Sequence, residues 1–188
     1  MRCFIAIDIT DSIRAGLAEL QEELAGKVDI RKGDVKWVRP EAMHLTLKFL
    51  GEIRDADVVE VCNVVKDVAG RHQAFNVAVG RVGHFGGQSA RVLWVGVGHG
   101  CDALQALHQD LETRLAESGW PKEARQFSAH LTLCRIRNAR AGAKLARLTQ
   151  DYKAFDLGTM QATAVRVYES QLTSGGPIYT CLGNYALL

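Results

Sequence analysis

MHLTLKFLGE (residues 43–52) contains four letters, HLTL, that return at 130–133 inside FSAHLTLCRIR (127–137). The two histidines stand 86 positions apart (130 − 44) in a chain of 188 residues. A histidine-bearing tetrapeptide seldom recurs by chance in so short a chain, so internal duplication is the first idea to test. Before the first copy lies RCFIAIDI (2–9), β-branched and aromatic like a buried strand. Thr10 and Asp11 could each cap the helix that follows, in which Ile13, Leu17, Leu20 and Leu24 recur at helical spacing. After the copy, Val58, Val61, Cys62, Val65 and Val68 line one face of a second helix, and FNVAVGRVGHF (75–85) alternates as a strand.

The second half replays that order. RVLWVGVG (91–98) reads as a strand, and Leu104, Leu107, Leu111 and Leu115 as a helix. HLTLCRI (130–136) is a strand, Leu145 and Leu148 fall in a short helix, and long strands are expected at 155–170 and 178–187. The first strands are offset by 89 positions (91 − 2), close to the offset of the motifs, so the likeness runs through each half. The pattern predicts an α+β protein: one domain over 1–188, with an internal β-α-β-α-β duplication. Its two lobes, roughly 1–88 and 89–188, would each have a mainly antiparallel sheet and outer helices, and would face a central cleft. The C-terminal strands have room to cross between lobes.

Composition fits this frame. Hydrophobic residues make up 47% and charged residues 23%, as in ordinary globular proteins, and the net charge of +2 permits a phosphate or nucleic-acid partner without arguing for one. Cys3, Cys62, Cys101, Cys134 and Cys181 are scattered, with no CxxC pair, which points away from a zinc ribbon or disulfide scaffold and toward reduced thiols. The opening MRCFIAIDIT is too short and too acidic for a signal peptide, and no later run approaches a membrane span. A cytoplasmic protein, acting as a monomer and away from membranes, is expected.

On a strand, alternate side chains share a face, so His44 and Thr46 point one way and Leu45 and Leu47 the other. The same holds for His130 and Thr132 against Leu131 and Leu133. Each copy therefore shows an imidazole and a hydroxyl ~7 Å apart, backed by leucines that fix the strand in the core. If the two halves face each other, the cleft holds two histidines and two threonines. That set suits opening a phosphodiester: one histidine takes a proton from the nucleophile and the other protonates the leaving oxygen. Threonine hydroxyls can donate to phosphate oxygens, and an arginine can offset the developing charge. Arg135, five residues past His130, has the wrong parity for that face unless the strand twists, bulges or ends before it.

A single HxT strand is more often packing than chemistry; the pairing at equivalent places is what favours a shared site. His72, His84, His99 and His108 have no such pairing and read as core or surface histidines. There is no HExxH for a metal, no P-loop in GRVGHFGGQSAR (80–91), and no nucleophile elbow around Ser89, Ser128 or Ser170.

With these motifs and flanks the chain resembles the 2H phosphoesterase superfamily, named for its two HxTx motifs, and within it the LigT-like RNA 2′,3′-cyclic phosphodiesterases, historically called 2′-5′ RNA ligases. The likeness runs through RCFIAIDI, VKWVRPEAMHLTLKFLGE, VGHFGGQSARVLWVGVG, FSAHLTLCRIR and ESQLTSGGPIYTCLGNYAL. Family members often have proline before the second histidine, where this chain has Ala129; proline there would stiffen the strand entry and leave the chemistry alone.

The resemblance implies a bilobal fold, no metal and no cofactor. It implies hydrolysis of RNA 2′,3′-cyclic phosphate ends to 2′-phosphate ends, and the reverse 2′-5′ ligation. It further implies His44 as proton donor to the departing O3′ and His130 as the acceptor that activates water, with Thr46, Thr132 and Arg135 holding the phosphate. tRNA fragments, cyclic nucleotides and other 2′-5′ esters stay open as substrates, as does a non-catalytic RNA-end binder on the same fold. Phe4, Trp37 and Phe127 are candidates, by position, to stack on the terminal base.

Overall fold

The computed structural model describes residues 1–31, 33–99 and 101–188. In chain order the elements are β1 (Arg2–Asp8), α1 (Asp11–Lys27), β2 (Val35–Trp37), β3 (His44–Glu52), α2 (Val58–Ala69), β4 (Phe75–Phe85), β5 (Val92–Val97), α3 (Asp102–Glu117), β6 (His130–Ile136), α4 (Ala139–Leu148), β7 (Asp156–Ala162), β8 (Ala164–Thr173) and β9 (Gly176–Ala186). Two antiparallel sheets result. One has the order β3-β1-β8-β9, the other β2-β6-β5-β4-β7.

Most elements form where the sequence pattern places them, and the short β2 is an addition to it. β1 is buried on both faces over Cys3–Ile7, as its unbroken apolar run requires. Thr10, rather than Asp11, caps α1, its hydroxyl accepting from the Ile13 N–H at 3.5 Å. Asn138 caps α4 through the Arg140 and Ala141 N–H groups at 2.9 and 3.1 Å. α1 and α4 lie against the second sheet, while α2 packs on β8 and β9 and α3 on β3, α2 and β4. One contiguous core joins both sheets. Among the described residues no helix is long and apolar enough to cross a membrane.

The sheets do not divide the chain at residue 88. β2 and β4 come from the first half but join the second sheet, and β8 and β9 complete the first sheet from the far end of the chain. The duplication is nevertheless visible. In each sheet the motif strand pairs with the opening strand of its own half, β3 with β1 and β6 with β5. On its other side, each opening strand takes a strand from the opposite half, β8 beside β1 and β4 beside β5. The strand expected at 155–170 is two strands, parted at Thr163, where the chain leaves the edge of the second sheet and enters the first. Neither glycine nor proline marks the passage, so periodicity runs through it unbroken.

Few polar side chains are buried, and Lys48 with Glu112 is the buried ion pair among the described residues. Lys48 Nζ meets Glu112 Oε1 at 2.6 Å and also donates to the Pro121 carbonyl at 2.9 Å, while Glu112 Oε2 accepts from the Glu123 N–H at 2.7 Å. The segment that leads toward His130 is thus tied to β3 by side chains.

Candidate active site

The two sheets approach each other through the motif strands, Cα atoms of β3 and β6 coming within 8 Å. Their burial runs in parallel: histidine and threonine half-buried, both leucines and the next residue buried, then an outward residue. His44 lies opposite Asp8 and Thr46 opposite Ala6; His130 lies opposite Gly96 and Thr132 opposite Trp94.

A bulge resolves the parity of Arg135. On β6, Cys134 faces Leu93 but Thr132 faces Trp94, which leaves Leu133 as an extra residue. The extra residue inverts the alternation, so Arg135 shares a face with His130 and Thr132 and is exposed there. β3 bulges at the matching place: Lys48 faces Ile5, Thr46 faces Ala6, and Leu47 is extra. Its counterpart of Arg135 is Phe49, 62% exposed on the face of His44 and Thr46. β2 adds Lys36, directly opposite Arg135 and likewise exposed.

His130 Nδ1 bonds the Ser128 carbonyl, two residues before it, at 2.6 Å. A carbonyl can only accept, so Nδ1 of His130 carries the proton and Nε2 of the neutral ring is left as an acceptor. Burial drives the His44 pKa down to about 4, against the opposing pull of the Ala42 carbonyl and the Asp8 carboxylate. Burial also lowers that of His130; the Ser128 carbonyl opposes the shift and the Arg135 guanidinium adds to it. Burial thus disfavours the charged form of both rings, but their nearest charges differ in sign.

The surroundings differ too. His44 stacks on Phe4 with centroids 4.5 Å apart and meets the edge of Tyr179 at 5.1 Å. Phe4 is only 3% exposed, wedged between His44, Tyr168 and Tyr179, so it supports the imidazole and offers no face to a base. Asp8 is held by Arg166 and by the Tyr168 hydroxyl, which donates at 2.8 Å. His130 has Phe85 edge-on at 5.1 Å and Trp94 at 6.3 Å. The indole of Trp94 lies over Gly83, where any Cβ would fall 2.3 Å from the ring. Tyr179 links the two sides: it touches His44 and lies within electrostatic reach of Arg135.

Of the other aromatic candidates, Trp37 faces away, opposite Cys134 on the core side of β6, and Phe127 stacks on His108 at 3.8 Å. Phe49, Phe85, Trp94, Tyr168 and Tyr179 stand with the histidines instead, together with Asp8 and Arg166. Strand alternation alone could have nominated Tyr168 and Arg166 as one face of β8, but not the strand that receives them.

Three comparisons bear on this arrangement. The LigT like Phosphoesterase family model matches the chain twice in tandem, over residues 7–94 and 95–179. An RNA 2′,3′-cyclic phosphodiesterase of Archaeoglobus fulgidus is 33% identical over 180 residues, 95% of this chain and 96% of that protein. One from Aquifex aeolicus is 31% identical over 189 residues, covering 100% and 97%. Among solved structures, Escherichia coli LigT complexed with 3′-AMP superposes with a TM-score of 0.76 at 26% identity, covering 99% of this chain and 97% of that one. The fold and the tandem match are those of a phosphoesterase. The chain belongs to the LigT-like phosphoesterase family.

Proposed function

We propose that the protein hydrolyses 2′,3′-cyclic phosphate ends of RNA to 2′-phosphate ends, with His44 and His130 as the acid–base pair. What carries the reading is the pair of HxT strands, equal in register and burial, with a bulge that sets Arg135 beside His130 and Thr132. The names of the relatives supply the substrate class.

In the proposed reaction His130, its Nδ1–H fixed on Ser128, takes a proton from water at Nε2 as the water oxygen attacks phosphorus. The P–O3′ bond breaks in line, and protonated His44 gives its proton to O3′. Thr46, Thr132 and Arg135 bind the non-bridging oxygens, where negative charge builds. The local charges favour this division of roles. A bound phosphate anion raises the pKa of both rings; beside Asp8 that proton is welcome at His44, whereas Arg135 opposes it at His130. With the 5′-hydroxyl of a second RNA end in place of water as the nucleophile, the P–O3′ bond breaks in the same way, O3′ takes the proton, and the site forms a 2′-5′ linkage.

The test is product analysis on a short RNA with a 2′,3′-cyclic phosphate end, in native protein and in His44→Ala and His130→Ala. The expected product is the 2′-phosphate, and each substitution is expected to lower kcat by about 10³-fold or more. Saturable binding with no product at any pH would instead identify an RNA-end binder.

A further inference from the structure

Two buried polar side chains occupy equivalent places in the two halves, and both lie outside the cleft. Gln21 on α1 and Glu112 on α3 stand 91 positions apart (112 − 21), as do the first residues of their helices (102 − 11). Each reaches across to the motif strand of the other half, and each does so at the bulge. Gln21 Nε2 donates to the Leu133 carbonyl at 2.9 Å and to the Val38 carbonyl at 2.8 Å. Glu112 engages Lys48, the residue after the Leu47 bulge.

We propose that Gln21 is a positioning residue for the reaction: it holds the Leu133 bulge in the register that turns Arg135 onto the face of His130 and Thr132. The peptide at an extra residue drops out of regular pairing with the neighbouring strand, and its polar groups need other partners. Here the Leu133 carbonyl accepts from the Val38 N–H at 2.9 Å and from Gln21. The primary amide uses its two hydrogens on two carbonyls, a task a carboxylate cannot do and an apolar side chain leaves undone. Without the bulge, strand alternation would aim Arg135 at the core side, with Leu131 and Leu133. Gln21 is buried on that core side, so its action on substrate passes through Arg135.

The inference rests on the proposed phosphate-holding role of Arg135, and the experiment separates the two. Gln21→Met, Arg135→Ala and the double variant are compared in kcat and KM on the cyclic-ended RNA, with amide hydrogen exchange followed along β6. Gln21→Met is expected to lower kcat/KM roughly tenfold in the native background and less than about twofold when Arg135 is already alanine. The limb of the pH profile set by His44 should hold its position, while that set by His130 should move to higher pH as the Arg135 guanidinium leaves its side. The amides of Cys134 and Arg135 are expected to exchange at least about tenfold faster, with Leu131 unchanged. Equal losses in both backgrounds, or unchanged exchange at the bulge, would overturn the proposal. Should Gln21→Met fail to fold, Gln21→Asn, which keeps the donors but withdraws them by one methylene, is read by the same criteria. Absence of turnover in the native protein would count against the proposed activity, while the exchange measurement would still decide whether Gln21 holds the bulge.

Discussion

Strands β3 and β6 match residue for residue as far as the bulge, and diverge beyond it. One then presents Phe49 and the other Arg135; behind the bulge one buries Lys48 and the other Cys134. The shared part supplies what the proposed reaction needs on both sides of phosphorus, an imidazole and a hydroxyl. In the proposed reaction the divergent part divides the remaining work, with a guanidinium for the anion on one side and a ring for an uncharged part of the substrate on the other. The supports diverge for a backbone reason. Before β3 the chain forms β2 and pairs with β6, so a neutral amide suffices at Gln21. Before β6 the segment 120–129 contains no strand, and Lys48 with Glu112 bonds its backbone instead.

The largest effect should come from unbalancing that second support. Lys48→Met leaves the Glu112 carboxylate buried without its cation and is expected to destabilise the fold by about 3–5 kcal/mol in denaturant unfolding. Adding Glu112→Met should recover much of the loss. If Lys48→Met alone is harmless, the two braces are not equivalent parts of one design.

A second measurement sharpens the contrast between the two imidazole sites. Because the folded His44 titrates at about 4 and an unfolded histidine near 6.5, the unfolded state binds more protons below pH 6.5. Stability linked to this group is intact above 6.5 and declines as pH falls through the window down to about 4, by about 3 kcal/mol in all. His44→Phe, which keeps a ring against Phe4, should flatten the pH dependence of unfolding free energy across that window. A slope unchanged by the substitution would mean that the depressed titration belongs elsewhere.

The smallest effect probes the divergence beyond the bulge. An exposed ring on the histidine face is suited to stacking on a base, worth ~1–3 kcal/mol per base. Phe49→Ala is expected to raise KM about tenfold, with kcat within about twofold and stability unmoved. A change confined to kcat would show that the ring serves the chemical step.

Much of the proposed site was legible because its histidine and threonine are written twice in one short motif. Alternation put histidine with threonine and both leucines behind them, and the burial of His44, Thr46, His130 and Thr132 follows that pattern. Arg135 was legible only conditionally. A bulge is a matter of pairing between strands, and nothing in LTLCRI marks Leu133 as the extra residue. The aromatic surroundings were hidden for a related reason. Phe85, Tyr168 and Tyr179 reach the histidines on strands that cross between halves, whereas Trp37 and Phe127 lie near a motif in sequence only, and Phe4, which does meet His44, is buried beneath it. The expected lobe boundary departed from the sheets for the same cause: repeats reveal what is similar, not which copy a strand docks upon.

That exchange of strands has a consequence for how the enzyme comes into being. β1 needs β8 from beyond residue 163, and β5 needs β4 from before residue 86. Neither repeat encloses a finished sheet, so a nascent N-terminal portion has no stable resting form until the final hairpin is made. The two imidazole sites are therefore expected to form together, in a chain whose long-range pairings favour slow, cooperative folding.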